Sequence, residues 1–222
     1  MQGIDIVGFL QKLPIYLIPM IFAITVHEVA HGWVAKYRGD PTAMMLGRLT
    51  LNPAKHIDPL GTFVVPLAML LLSGGRLAFG WAKPVPVAFR NLRNPRGDMI
   101  LVAVAGPAAN LLMALGWSLL LALELSLGGA ANTGPGQWFA NMFYFGITFN
   151  VLLAVFNLLP IPPLDGGRVL AGLLPPGPAR ALESIEPYGF IIVIALVYYA
   201  PGIMSPFLAF FQRLFLSVAG LS

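Results

Sequence analysis

The chain has 222 residues, of which 58% are hydrophobic and only 10% are charged, and its mean hydropathy is +0.81. A soluble domain carries about 25% charged residues, so this composition argues against a soluble protein and predicts one embedded in a membrane. The net charge of +4 comes without a basic helix or an aromatic–basic stacking motif, which argues against nucleic-acid binding. Disulfides are excluded because the chain has no cysteine.

Four apolar segments approach or exceed the roughly 20 residues that a transmembrane helix needs. They cover 14–35, 99–127, 138–159 and 188–215, and Pro201-Gly202 and Pro206 are expected to bend or break the last one. A fifth stretch, 60–75, is short, contains Pro66 and ends in Ser-Gly-Gly. It favours a short re-entrant or β-hairpin element between the first two helices. We therefore expect a single all-α, polytopic membrane domain over 1–222 with four or five transmembrane helices.

The charges of the loops predict an orientation. Lys and Arg concentrate in 36–98 and recur in 160–187, whereas 128–137 has neither. The positive-inside rule then places the two basic stretches in the cytoplasm and the N-terminus outside. No cleavable signal peptide is expected, because Asp5 precedes the first apolar run and no A-x-A site follows it.

The first apolar segment contains His27-Glu28-x-x-His31. Residues four apart share one face of a helix, so the two imidazoles can bind a single metal ion. Glu28 is offset around the helix and can take a proton from metal-bound water. The pattern predicts His27 and His31 as metal ligands and Glu28 as the catalytic base. The alternative is a pair of histidines that only hydrogen-bond between helices.

A catalytic zinc site usually has three protein ligands, so a third is needed. A metzincin would have Gly and His where this chain has Val34 and Tyr37. The remaining candidates are Asp165, Glu124, Glu183, Glu186 and Asp58, with His56 as a nitrogen alternative.

Asp165 is the favoured third ligand. It lies in NLLPIPPLDGGRVL, residues 157–170, where the prolines interrupt regular helix. Gly166 and Gly167 permit unusual backbone angles and close approach, so the stretch can turn Asp165 inward. The alternative is an ordinary cytoplasmic turn, in which Pro, Asp and Gly are all common.

These two motifs resemble the site-2 protease family of intramembrane zinc metalloproteases. That family pairs an H-E-x-x-H helix with an N-x-x-P-x-x-P-L-D-G-G-like element, which matches this chain from Asn157 to Gly167. The resemblance implies one Zn²⁺ per chain held by His27, His31 and Asp165. It also implies that Glu28 is the catalytic base and that Asn157 helps hold the substrate backbone.

Three further stretches are similar to the compact bacterial members of that family: GRLTLNPAKHIDPLGT (47–62), FGWAKPVPV (79–87) and AGPAANL (105–111). No PDZ-like or regulatory domain is expected. The resemblance implies a bacterial inner-membrane protein, and the loop charges predict that its active site lies toward the cytoplasm. His56 then either assists near the site or stabilises a turn. Gly106 and Asn110 are expected to serve helix packing, with an orienting role for Asn110 as the alternative.

The predicted activity is hydrolysis of peptide bonds in or near the transmembrane segments of other membrane proteins. A substrate helix must unwind locally, and strand-like residues between 41 and 90 can then pair with it. Trp81 and Lys83 are interpreted first as interfacial anchors and second as part of that strand. The alternatives are a metal transporter or zinc-binding membrane protein, and a catalytically silent scaffold. The substrate and the oligomeric state are not indicated by the sequence.

Overall fold

The computed structural model describes residues 6–65, 68, 83–128 and 134–221. Regular structure in this part of the chain is helical, which confirms the all-α prediction. The α-helices are α1 (Ile6–Tyr37), α2 (Thr42–Met45), α3 (Pro95–Ser126), α4 (Pro135–Asn157), α5 (Asp165–Leu173), α6 (Pro176–Glu183), α7 (Glu186–Tyr199) and α8 (Ser205–Val218). Short 3₁₀ turns occur at Pro53–Lys55, Phe89–Asn91 and Pro201–Ile203, and one π turn occurs at Leu60–Val64.

Three of these helices are long and apolar enough to cross a membrane: Gln11–Tyr37 within α1, all of α3 and all of α4. A fourth span results if α6 and α7, which meet at a 70° bend, are counted together. Large apolar side chains such as Leu112, Leu119 and Leu123 lie exposed on the outer surface of the bundle, where lipid would cover them. The protein is therefore a multi-pass integral membrane protein.

The segment 188–215 does not form one continuous helix. α7 ends at Tyr199, a 3₁₀ turn follows, and α8 begins at Ser205 with Pro206 in its first turn. Pro201 and Pro206 lack the backbone N–H that a continuing helix needs, which is why the break falls there. The prediction of a bend or break is confirmed, but α8, with 14 residues, is too short to span a bilayer alone.

Contacts at the two ends of the bundle define how the long helices run. Near the end of α1, Arg38 Nε lies 3.6 Å from Asp98 Oδ1 at the start of α3. At the opposite end, the indole N–H of Trp138 donates to the backbone oxygen of Gln11 at 2.8 Å. The end of α1 and the start of α3 therefore share one face of the membrane, and the starts of α1 and α4 share the other.

α3 forms the centre of the bundle and packs against α1, α4 and α5. Its contact with α4 is close because Gly146 has no side chain: a Cβ there would lie 2.6 Å from the ring of Trp117. Small residues at such contacts let membrane helices approach one another. The buried core between α3, α4 and α8 contains Ala114, Leu121, Ile147, Val151, Val155 and Phe215.

The predicted re-entrant or hairpin element at 60–75 lies mostly outside the described residues, as does Trp81. Its beginning, Leu60–Val64, is the π turn. No strand occurs in the described residues between α1 and α3. Residues 83–88, here called the strap, have no regular secondary structure and cross α1 near Glu28.

Candidate metal centre and active site

Three side chains converge inside the bundle: His27 and His31 from α1, and Asp165, the first residue of α5. The two Nε2 atoms lie 3.0 Å apart, and Asp165 Oδ2 lies 3.2 Å and 3.3 Å from them. All three residues are buried, with exposed fractions of 6%, 8% and 6%. Among the described residues, this is the group of His, Asp and Glu side chains arranged to hold a metal ion.

The geometry of this cluster fits a zinc ion. Bonds of about 2.0–2.1 Å in a tetrahedral site separate the ligand atoms by roughly 3.3–3.4 Å, close to the three observed distances. Asp165 Oδ2 is buried and receives no hydrogen bond, although two nitrogens lie beside it. A buried carboxylate oxygen without a donor is costly, and a cation between the three atoms would remove that cost.

The partners of the opposite ring nitrogens determine the tautomers of the two neutral imidazoles. His27 Nδ1 is 2.6 Å from Asn110 Oδ1, and His31 Nδ1 is 2.7 Å from the backbone oxygen of Val102. Both partners are acceptors, so both Nδ1 atoms must carry a proton and donate it. Each neutral imidazole then directs its Nε2 lone pair at the centre of the cluster, as a metal ligand must.

Gly106 on α3 forms one wall of the cluster. A Cβ at this position would lie 2.4 Å from His31 Nε2 and 2.6 Å from His27 Cε1. Only glycine therefore leaves room for the ligand atoms. The sequence predicted a helix-packing role for Gly106, and in the structure this residue packs against the two imidazoles.

The loop between α4 and α5 brings Asp165 into the bundle. A Cβ on Gly166 would lie 2.2 Å from the backbone oxygen of Leu158, and one on Gly167 would lie 2.4 Å from the nitrogen of Pro162. The two glycines thus let the first turn of α5 close onto the preceding loop. This contact is the close approach that the Gly-Gly pair predicted.

Glu28 is half-buried beside the cluster and is not one of its three converging groups. Its Oε2 accepts a hydrogen bond from the backbone N–H of Val85 in the strap, at 2.7 Å. The strap can reach Glu28 because residue 32, one turn further along α1, is glycine. A Cβ on Gly32 would lie 2.8 Å from Val85 Cγ1.

Two other side chains hold the strap. The guanidinium of Arg48 donates through Nη2 to the backbone oxygens of Lys83 and Pro84, at 2.9 Å and 3.3 Å. Asp40 is fully buried and accepts from the backbone N–H of Ala88 at 2.6 Å. Burial raises the pKa of Asp40, but hydrogen bonds from Thr42, Ala88 and Asn91 outweigh it and hold that pKa below its usual range. Neither Arg48 nor Asp40 was identified from the sequence.

His56 lies outside the cluster. Its Nε2 donates to the backbone oxygen of Thr50 at 2.8 Å, and its own backbone oxygen accepts from Lys83 N at 2.8 Å. These contacts agree with a turn-stabilising role and connect that turn to the strap. The side chain of Lys83 is exposed.

Asn157 is the last residue of α4, and its amide donates to the backbone oxygen of Leu153 at 2.9 Å. Its role in substrate binding stays a prediction.

The other candidate third ligands do not join the cluster. Glu183 and Glu186 are exposed, Glu124 lies near the far end of α3, and Asp58 accepts from the backbone at Leu60 and Gly61.

Asn110 is brought to the cluster, which supports the orienting alternative over simple packing, and Asn150 of α4 contacts Asn110. Asn150 was not identified from the sequence. The available signal was an amide side chain midway along an apolar helix, since polar residues at membrane depth usually have a function.

Comparison with known proteins gives consistent results. The sequence model of peptidase family M50 matches residues 126–196, a range that includes Asp165 but not the two histidines. The candidate zinc metalloprotease YwhC of Bacillus subtilis is 41% identical over 191 residues, which cover 84% of this chain and 81% of YwhC. No solved structure matches this chain.

Two mycobacterial proteins are also similar. The candidate zinc metalloprotease Rip2 of Mycolicibacterium smegmatis is 34% identical over 182 residues, covering 80% of this chain and 64% of Rip2. Rip2 of Mycobacterium tuberculosis strain H37Rv is 30% identical over 195 residues, covering 88% of this chain and 70% of Rip2. Since the identity to YwhC extends over four fifths of both chains, this protein belongs to peptidase family M50, the site-2 protease family of membrane zinc metalloproteases.

Proposed function

We propose that this protein is a zinc-dependent endopeptidase that cuts membrane proteins in or near their transmembrane segments. The observation that carries the proposal is the buried His-His-Asp cluster between the spanning helix α1 and the short helix α5, with the carboxylate of Glu28 directly after the first histidine. His27 precedes the end of α1 at Tyr37 by ten residues, which corresponds to a depth of roughly 15 Å along the helix. A cut at this position would fall within the hydrocarbon layer.

His27, His31 and Asp165 are proposed to hold one zinc ion through Nε2, Nε2 and Oδ2. When bound, zinc supplies Lewis acidity, which polarises a peptide carbonyl and makes water a stronger acid. The three side chains that would hold the ion are themselves buried, and α1 and α5 keep them in a fixed arrangement. Membership in a zinc metalloprotease family supports zinc over other divalent metals.

Glu28 is proposed as the general base. Its Oε2 is held by Val85 N–H, so we assign proton transfer to the other carboxylate oxygen, Oε1. Oε1 takes a proton from the attacking water and later delivers it to the nitrogen of the departing amine. A metal transporter would have no need for this carboxylate beside its ligands, so the family relationship and Glu28 together favour a protease.

The substrate is proposed to be a transmembrane protein or peptide whose helix unwinds locally. The amides of an intact membrane helix are bonded within that helix, so a scissile bond must first be released. The strap is one part of the 41–90 region where an unwound segment can pair by its backbone, because it passes directly beside Glu28. Asn157 remains our candidate for holding the substrate backbone.

We further propose that the protein forms a single domain in a bacterial inner membrane, with its active site toward the cytoplasm. The cluster is nearer to the end of α1 that carries Lys36 than to its beginning. Arg93 and Arg96 flank the start of α3 at that same end of the bundle. The positive-inside rule assigns such a basic face to the cytoplasm.

The test is to measure zinc content and cleavage of single-span substrates with purified protein in detergent. Wild type should hold about one zinc and cut. Glu28→Gln, which is nearly the same size, should keep zinc and lose cleavage, and Asp165→Ala should lose both. Zinc-dependent transport by a reconstituted protein that never cleaves would contradict the proposal, as would full cleavage by Glu28→Gln.

A further inference from the structure

A chain of hydrogen bonds leads from the metal cluster into α4. His27 Nδ1 donates to Asn110 Oδ1 at 2.6 Å, and Asn110 Nδ2 donates to Asn150 Oδ1 at 2.9 Å. Asn150 Nδ2 in turn donates to the backbone oxygen of Gly146 at 2.8 Å. Both asparagines are 0% exposed, and Asn150 is not one of the groups that converge on the metal centre.

Two buried amides are costly in a membrane bundle, where apolar residues would fill the same space without unmet hydrogen bonds. Ser118, the other fully buried polar residue nearby, only donates to Ala114 in its own helix. Asn110 and Asn150 instead contact each other across the α3–α4 interface, and Asn110 also contacts His27 and Ala23 of α1. These hydrogen bonds therefore connect three helices, whereas the hydrogen bond of Ser118 stays within one helix.

The two imidazoles have different kinds of partner. His31 donates to a backbone oxygen of α3, which is fixed by the helix. His27 donates to a side-chain amide, and an amide can rotate by 180° and present its NH₂ group in place of its oxygen. A rotated Asn110 would donate to Nδ1 and require the proton of a neutral His27 to sit on Nε2, facing the metal.

Asn150 opposes that rotation. Its Nδ2 is directed at Gly146, so its oxygen faces Asn110 and accepts one of the Asn110 N–H groups. The second N–H of Asn110 donates to the backbone oxygen of Ala23 at 3.2 Å. Rotation of Asn110 would place its oxygen against these two acceptor oxygens. The longer Ala23 contact alone is the weaker restraint, so Asn150 is the more important of the two.

We propose that Asn150 is a positioning residue for the metal centre. Through Asn110 it keeps the proton of His27 on Nδ1 and the lone pair on Nε2, ready for zinc. The inference rests on the proposed metal site but not on proteolysis, so metal binding tests it separately from cleavage.

The experiment measures zinc affinity of the full-length protein in detergent by competition with a chelating dye. Asn150→Leu removes the acceptor and should weaken zinc binding about 10- to 100-fold, the usual effect of losing an outer-shell partner. Asn150→Asp, protonated in this buried site, retains a carbonyl acceptor and an O–H donor. It should stay within about threefold of wild type. Ser118→Ala is the matched buried-polar control and should bind zinc like wild type.

Histidine ¹⁵N spectra of the metal-free protein give a second readout, because the chain contains only three histidines. In wild type and Asn150→Asp, His27 should be protonated at Nδ1; in Asn150→Leu its Nε2 form should appear. If Asn150→Leu fails to fold, Asn150→Ala is judged by the same criteria. Wild-type zinc affinity and an unchanged His27 spectrum in a folded Leu or Ala variant would overturn the inference. Wild type that binds zinc tightly but does not cleave would contradict the proposed function while leaving this inference standing.

Discussion

The carboxylate of Glu28 is bound by the backbone N–H of Val85, 57 residues later in the chain, at 2.7 Å. Val85 lies between Pro84 and Pro86, neither of which has an N–H, so it is the one backbone donor in that tripeptide. Arg48 holds the carbonyl oxygens of Lys83 and Pro84 from the other side. The proposed base is therefore oriented by a backbone group, whose position depends on the packing of the strap.

Val85→Pro should impair cleavage while leaving zinc bound. It removes the N–H that holds Glu28 Oε2. The substitution is compatible with the backbone of the strap, which already has proline on both sides of this position. Misplacement of a catalytic group by about 1 Å costs roughly 100-fold in rate, and we expect a fall in kcat of that order. Val85→Ala retains the N–H and is the matched control. Equal loss of cleavage in both variants would show that the side chain, rather than the hydrogen bond, is what matters.

Gly32→Ala should also impair cleavage while leaving zinc bound, in this case by displacing the strap. The new methyl group would lie 2.8 Å from Val85 Cγ1 and 2.5 Å from Leu49 Cδ2, so the strap must move away from α1. The bond from Val85 to Glu28 then lengthens, whereas the three metal ligands keep their places. Zinc analysis and kcat measured on one preparation check this; an active Gly32→Ala protein would mean that the strap tolerates the shift.

Gly106→Ala should abolish zinc binding itself. Its Cβ would lie 2.4 Å from His31 Nε2, the atom proposed to bind the metal. Gly116→Ala on the same helix is the control, because a Cβ there meets nothing within 4 Å. We expect zinc loss in the first variant and wild-type zinc content in the second, measured by elemental analysis. Retention of stoichiometric zinc by Gly106→Ala would place the metal elsewhere.

Asp40 should anchor the strap in a manner that depends on pH. Its pKa is held below the usual value in the folded protein, so its stabilising effect is present above the unfolded pKa of about 3.9. That effect is lost as the pH falls further. The Asp40→Asn substitution leaves an uncharged side chain that does not titrate. Its NH₂ group would face one of the groups that donate to Asp40, which are on Thr42, Ala88 and Asn91. We expect Asp40→Asn to lower the free energy of unfolding by about 1–3 kcal/mol at pH 6.

The measurement for Asp40 is chemical unfolding in detergent at several pH values between 6 and 3. The gap between wild type and Asp40→Asn should be constant above about pH 5 and shrink below pH 4. A gap that widens on acidification would contradict the assignment, because it would require a folded-state pKa above the unfolded one.

The membrane class, the positions of the long helices and the break near Pro201 all follow from the sequence. Hydropathy over about 20 residues reports whether a segment can lie in lipid, and proline acts on its own helix, so neither depends on distant contacts. The spacing of His27 and His31 likewise places both imidazoles on one helical face before any tertiary structure is known.

Only the tertiary structure decided which carboxylate meets these histidines and what orients them. Asp165 was the favoured candidate among five, and its approach depends on the close contacts of Gly166 and Gly167 with the preceding loop. The groups that act on His27 and Glu28 come from other elements, through the side chains of Asn110 and Asn150 and the backbone of Val85. A backbone N–H is the same in nearly every residue type, so no sequence pattern marks it. Its importance arises from the folded path that carries the strap past α1.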